Sequence, residues 1–247
     1  MVSECSWEND NQGNPTIIEF CNPLVCDGGG GGGFDLPDPL NINQDLISEL
    51  RGYPCAQNLI QLLPTLKNDL AVSMQQIFQN NTNYNIKFKP KTGLGNTDGI
   101  TYPSISPEFG TFTATIYLND QVLTHATKEY ILVTMYHEVL HAFLAYELFK
   151  LGATAFHEKY LGVIVGYDYA ADGTVINRFK YIDGHQQMVP FLTTLQNILS
   201  SYNPNLSQDV IVAMSRAGIT TLTPEQVVLN SNERDTTSGN HQGTKCP

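Results

Sequence analysis

His137-Glu138-Val139-Leu140-His141 is the stretch that decides how this chain is read. On a helix its two histidines lie four residues apart, on one face and one turn from each other. Two neutral imidazoles at that spacing can grip one Zn²⁺, and the glutamate between them can hold a water against the metal. The pentad sits in a long apolar run from Thr127 to Leu151. Thr127 suits an N-cap and Gly152 a stop. Ile131, Leu132, Val133, Met135, Val139, Leu140, Phe143 and Leu144 make the run apolar nearly all round, so it should be the central buried helix. A plain core helix, with its His and Glu satisfied by hydrogen bonds, is the competing reading. Burying a glutamate among apolar residues is costly without a partner, which favours a metal.

Outward from this helix the pattern predicts an α+β fold: a small, mostly antiparallel sheet packed on a helical body that carries the central His-Glu-x-x-His helix. Tyr84 to Lys89 and Thr111 to Asn119 alternate apolar and polar residues and read as strands. Within the second, Thr111 to Leu118 is a candidate edge strand, able to take an extended peptide by main-chain hydrogen bonds; the alternative is ordinary sheet structure. Gly93 to Pro107 reads as a loop, and Asn119-Asp120 as a turn. Helical spacing marks Asp45 to Leu50, Cys55 to Gln79 with a boundary at Pro64, Phe156 to Leu161, Asp183 to Tyr202 and Ser207 to Ala217. Thr223-Pro224-Glu225-Gln226 carries a start signal for a final turn. Three regions follow. Residues 1–34 form a Cys-containing tail ending in the glycine run Gly28 to Gly33, which reads as a linker. Residues 35–230 form the folded domain, and 231–247 a polar tail.

Composition limits the partners. The chain carries 13 Lys and Arg against 24 Asp and Glu, a formal charge of -11, so a nucleic acid or an anionic membrane would meet net repulsion. No run of about 18 apolar residues is present, so no membrane span is expected. The start lacks a basic region followed by an apolar stretch, so no signal peptide is expected either. The cysteines are Cys5, Cys21, Cys26, Cys55 and Cys246. Cys21 and Cys26 could close a small loop, while Cys5 and Cys246 are candidates for tying the tails to the body. Disulfides would imply an oxidising compartment, such as the outside of a bacterial cell; the alternative is scattered reduced thiols.

A zinc site needs a third protein ligand, with water as the fourth. Four residues are candidates. Glu147 lies six residues past His141, but Leu144 continues the helix and points it away. Glu158 lies in a short, solvated segment. His157 and His185 are 16 and 44 residues past His141. His185 opens the segment Asp183-Gly184-His185-Gln186-Gln187-Met188, where a histidine can project toward a neighbouring helix, with Met188 and Phe191 facing the core. His125 and His241 read as peripheral.

A polar loop, a strand ending Ile116-Tyr117-Leu118-Asn119, the His137–Ala142 helix and a later His-x-x-Met opening a helix together resemble bacterial zinc metallopeptidases of the zincin type. The resemblance covers roughly residues 45 to 230. It implies that His185 completes a site with His137 and His141. The chain is also distantly similar to SprT/Spartan-type zincins, whose third histidine follows at a spacing near that of His157. It lacks the basic surface expected of a DNA-linked protease. The function implied is hydrolysis of a peptide or protein, with Glu138 as general base. Tyr167, Tyr169 and Tyr181 are candidates for stabilising the oxyanion. Two other readings stand beside it: a non-catalytic zinc-binding interaction module, and a toxin-like effector protease joined to a delivery module.

Overall fold

Period-two alternation lays down β2 (Tyr84–Lys91) and β4 (Thr111–Asn119), and pairing adds β1 (Leu46–Ser48) and β3 (Gly99–Ser106). They form one sheet in the order β1-β2-β4-β3. The computed structural model describes residues 8–9, 15–16, 46–63, 84–106, 108, 110–159, 167–169, 175–177 and 185–247. β1 pairs parallel with β2, and β2 parallel with β4; β3 alone runs antiparallel to its neighbour, β4. The expectation of a mostly antiparallel sheet is therefore corrected. The chain leaves β2, crosses to the far edge, returns as β3 and inserts β4 between them. Alternation reports which face a residue takes, not the direction of its neighbour.

The expected edge strand is corrected for the same reason. Thr111–Asn119 is paired on both sides, and the edge is β3, inside the segment expected to be a loop. Pro103 sits in β3, where an edge strand tolerates the missing donor. Leu46–Ser48, expected as helix, is drawn into the sheet by pairing with Ile86, Lys87 and Phe88.

One sheet face is the core. Ile86, Phe88, Phe112, Ala114, Ile116 and Leu118 are buried beneath the helices. On the other face Lys87, Lys89 and Lys91 follow each other at alternate positions of β2. Lys89 pairs with Glu49 at 3.1 Å, and the Lys91 ammonium lies 5.0 Å from the Tyr117 ring centre.

The helices are α1 (Pro54–Leu62), α2 (Asp120–His125), α3 (Lys128–Lys159), α4 (Leu192–Tyr202), α5 (Gln208–Arg216) and α6 (Pro224–Arg234). The expected Asn119-Asp120 turn is the start of α2, which the Asn119 side chain caps by accepting from Gln121 N–H. α3 is the central buried helix. Thr127 caps it by accepting from Tyr130 N–H, and every residue from Tyr130 to Tyr136 is buried. Its run breaks at Gly152, whose φ of 74° and ψ of 164° only glycine adopts readily. The segment expected as one helix over 183–202 is, from 186 on, a 3₁₀ stretch (Gln186–Phe191) containing Pro190, followed by α4. Among the described residues no helix is long and apolar enough to cross a membrane.

The tail expected over 231–247 is corrected in part. Residues 224–234 form a full helix with a Thr223/Gln226 capping box, and the chain then returns over the start of α3. Glu129 and Glu233, each 1% exposed, hold this strap. Glu129 accepts from Thr244 N–H and Oγ1–H, and Glu233 from the N–H groups of Gln242 and Gly243. Thr244 O accepts from Lys128 N–H at 2.8 Å, and Cys246 is bonded to Cys55 of α1. Polar hydrogen bonds and a covalent link, not apolar burial, dock it. Pro64, Tyr181, the Gly28–Gly33 run, and Cys5, Cys21 and Cys26 lie outside the described residues.

Candidate metal centre

The helical spacing of His137 and His141 puts their rings side by side on α3, with centres 5.0 Å apart. His185, just before the 3₁₀ stretch, brings a third ring to within 5.3 Å of His137 and 4.8 Å of His141. One nitrogen from each ring lies within 4.8 Å of the others, a group that can hold a metal ion. Packing delivers His185 here. Met188, whose N–H bonds His185 O at 2.9 Å, is fully buried, and Phe191 meets Phe143 of α3 edge to face.

The electrostatics fit a cation. Burial holds the His137 imidazole well below its ordinary pKa, with His141 and His185 adding to the effect. Burial, then His185, pushes His141 down to about 3. Both rings are thus neutral at pH 7, as metal ligands must be.

Glu138 lies beside the rings and is 4% exposed. Burial pushes its carboxyl up to about 7, against the opposing hydrogen bond from Thr101. Thr101 Oγ1 lies 2.7 Å from Glu138 Oε2 and 3.0 Å from Glu138 O. Gly99 of the same strand leaves room for this side chain: a Cβ there would lie 2.7 Å from Glu138 Cγ. On another side, Gly218 follows α5 with φ 77°, and a Cβ on it would lie 3.1 Å from His137 Cε1. Gly99, Thr101 and Gly218 were not singled out by sequence reading. A glycine directly after an amphipathic helix was the one available signal, and it reads equally as an ordinary C-cap.

The other candidates are elsewhere. Glu147 is buried and pairs with Lys159 across the Gly152 break. Glu158 is exposed and outside the three-histidine group. His125 and His241 are also outside it. The His157 side chain lies outside the described residues, as does Tyr181. Tyr167 and Tyr169 fall on a short strand paired with Val175–Asn177.

These shifts set a pH dependence for metal-free protein. Unfolded histidine titrates near 6.5. Below that pH the unfolded chain takes up protons that His137 and His141 refuse, so stability falls on acidification. Glu138 acts oppositely from pH 7 down to about 4.5, where the folded chain alone takes up its proton. Below 4.5 the depressed rings act without that offset, His141 down to about 3. Thermal melts of chelator-treated protein should fall more steeply across this window than those of a His137→Ala/His141→Ala variant. Equal slopes would refute the depressed rings.

Compared with known protein families, with curated proteins and with solved structures, the chain matches none.

Proposed function

We propose that this protein is a zinc-dependent metallopeptidase of the zincin type, with His137, His141 and His185 as ligands and Glu138 as general base. The observation that carries the reading is the convergence of three imidazoles beside a buried carboxyl group. Three nitrogen donors suit zinc, and among the described residues the group has no fourth member. That favours an open catalytic site over a closed structural one. Zinc, when bound, would acidify water and polarise the scissile carbonyl.

The chain's own residues supply the rest. Thr101 occupies Glu138 Oε2, which leaves Oε1 to accept the proton of the attacking water and pass it to the leaving amine. Among the described residues β3 has no strand on its outer side in the four-stranded sheet, so an extended substrate can add there by main-chain hydrogen bonds. The role first sought on Thr111–Leu118 thus moves to Gly99–Ser106.

Elemental analysis of purified wild type, His157→Ala and His185→Ala tests the ligand set. One zinc per chain, retained in His157→Ala and lost in His185→Ala, is the expected result. Loss with His157→Ala instead would favour the SprT-type arrangement. No metal in any protein after zinc loading would end the enzyme reading.

A further inference from the structure

We propose that Thr101 is a positioning residue that fixes the Glu138 carboxylate, and that Gly99 is the gap that carboxylate occupies. The inference rests on the general-base reading of Glu138 and adds a second element, the edge strand, to the catalytic machinery.

β3 is tied to α3 at two rungs. At the first, Asp98 accepts from the Tyr130 hydroxyl and from Arg234 Nε, each at 2.6 Å. Asp98 O also accepts from Asn119 N–H at 2.9 Å, which locks the start of β3 to the end of β4. At the second rung, three residues along β3 and eight along α3, Thr101 meets Glu138. Pairing of Gly99 with Leu118 and Thr101 with Ile116 keeps the second rung in register with the buried centre of the sheet.

The Thr101 hydroxyl has one proton and two acceptors on the same residue, Oε2 at 2.7 Å and the main-chain O at 3.0 Å. At rest it donates to the carboxylate. When the carboxylate turns to take a proton, the hydroxyl can pass its hydrogen bond to the carbonyl and is never left unpaired. Glu138 is thereby oriented without being immobilised. Gly99 acts by absence: the Cβ of any other residue would lie within 2.8 Å of Glu138 Cγ, Cδ and Oε1. Its backbone does not need the left-handed region, so alanine there is strained only by that contact.

Thr101→Val, Thr101→Ser and Gly99→Ala are compared with wild type and Glu138→Gln on a mixture of fluorogenic peptides, with zinc content, melting temperature and a crystal structure of Thr101→Val. Thr101→Val is expected to keep its zinc and its KM and lose about 10-fold or more in kcat. Its carboxylate should leave the wild-type rotamer, and Thr101→Ser should restore both. Gly99→Ala should lose kcat with zinc retained, and it carries the test if Thr101→Val does not fold. Wild-type kcat in Thr101→Val or Gly99→Ala, or zinc lost in parallel with kcat, would overturn the inference. Full activity in Glu138→Gln would instead overturn the general-base reading on which it rests.

Discussion

Glu138→Ala is expected to bind zinc as wild type does and to lose at least about 100-fold in peptide hydrolysis. The two halves of this result come from different parts of the site. The three rings that converge are His137, His141 and His185, and Glu138 is not among them, so its removal leaves the donor set intact. Deleting a buried carboxylate whose pKa lies above its ordinary range also removes a desolvation penalty. That gain opposes the cost of the cavity left by the side chain, so the variant should melt near wild type. Zinc content, melting temperature and kcat/KM of the same preparation give the check. Lost turnover with metal and stability unchanged separates a chemical role from a packing one. Unchanged turnover would remove Glu138 from the mechanism.

The second large effect concerns the Cys55–Cys246 link, which joins residues 191 apart in sequence. In the chain-entropy account a loop of that size restricts the unfolded chain by about 5 kcal/mol, near the top of the observed range. The strap it secures also carries the hydrogen bonds to Glu129 and Glu233. Without the link those bonds must hold the strap unaided, and each adds only about 1–3 kcal/mol net. A Cys55→Ala/Cys246→Ala variant should thus be about 3–5 kcal/mol less stable in denaturant unfolding. Because Lys128 and Glu129 at the start of α3 bind the strap, hydrogen exchange should rise there before it rises at His137. A loss under about 1 kcal/mol would mean that the carboxylate clasp alone suffices.

What the sequence revealed, and what it hid, follows from which forces leave a pattern. α3 was legible because its capping threonine, its apolar surround and its terminating glycine are all local. The convergence of His185 with the pentad was anticipated from a resemblance and from its place before a helical segment. Nothing local fixes a contact across 44 residues. The sheet was half legible. Alternation identified the buried positions of β2 and β4, but strand direction and order depend on the route of the connections, and an alternating strand reads the same at an edge or a centre. β3 was hidden because Gly99, Pro103 and its serines weaken strand propensity. The small residue at 99 is also what the Glu138 side chain requires. The strap was invisible to hydropathy because buried carboxylates and a cysteine hold it. Its one partly buried apolar contact with the core is Cys246 itself.

The position of β4 has a bearing on how the chain is made. It is the last strand of the sheet in sequence and lies between β2 and β3. Until residue 119 leaves the ribosome, the edge of β2 that carries Ile86 and Phe88 has no β4 to take up its main-chain hydrogen bonds, and the helix that covers their face has not yet been made. β3 can form no lasting pair before β4 arrives, so the two join as a hairpin that then docks on β2. The nascent chain therefore passes through a stage with an uncovered apolar strand. At that stage Lys87, Lys89 and Lys91, alternating with those apolar residues, act as gatekeepers against pairing with another nascent chain.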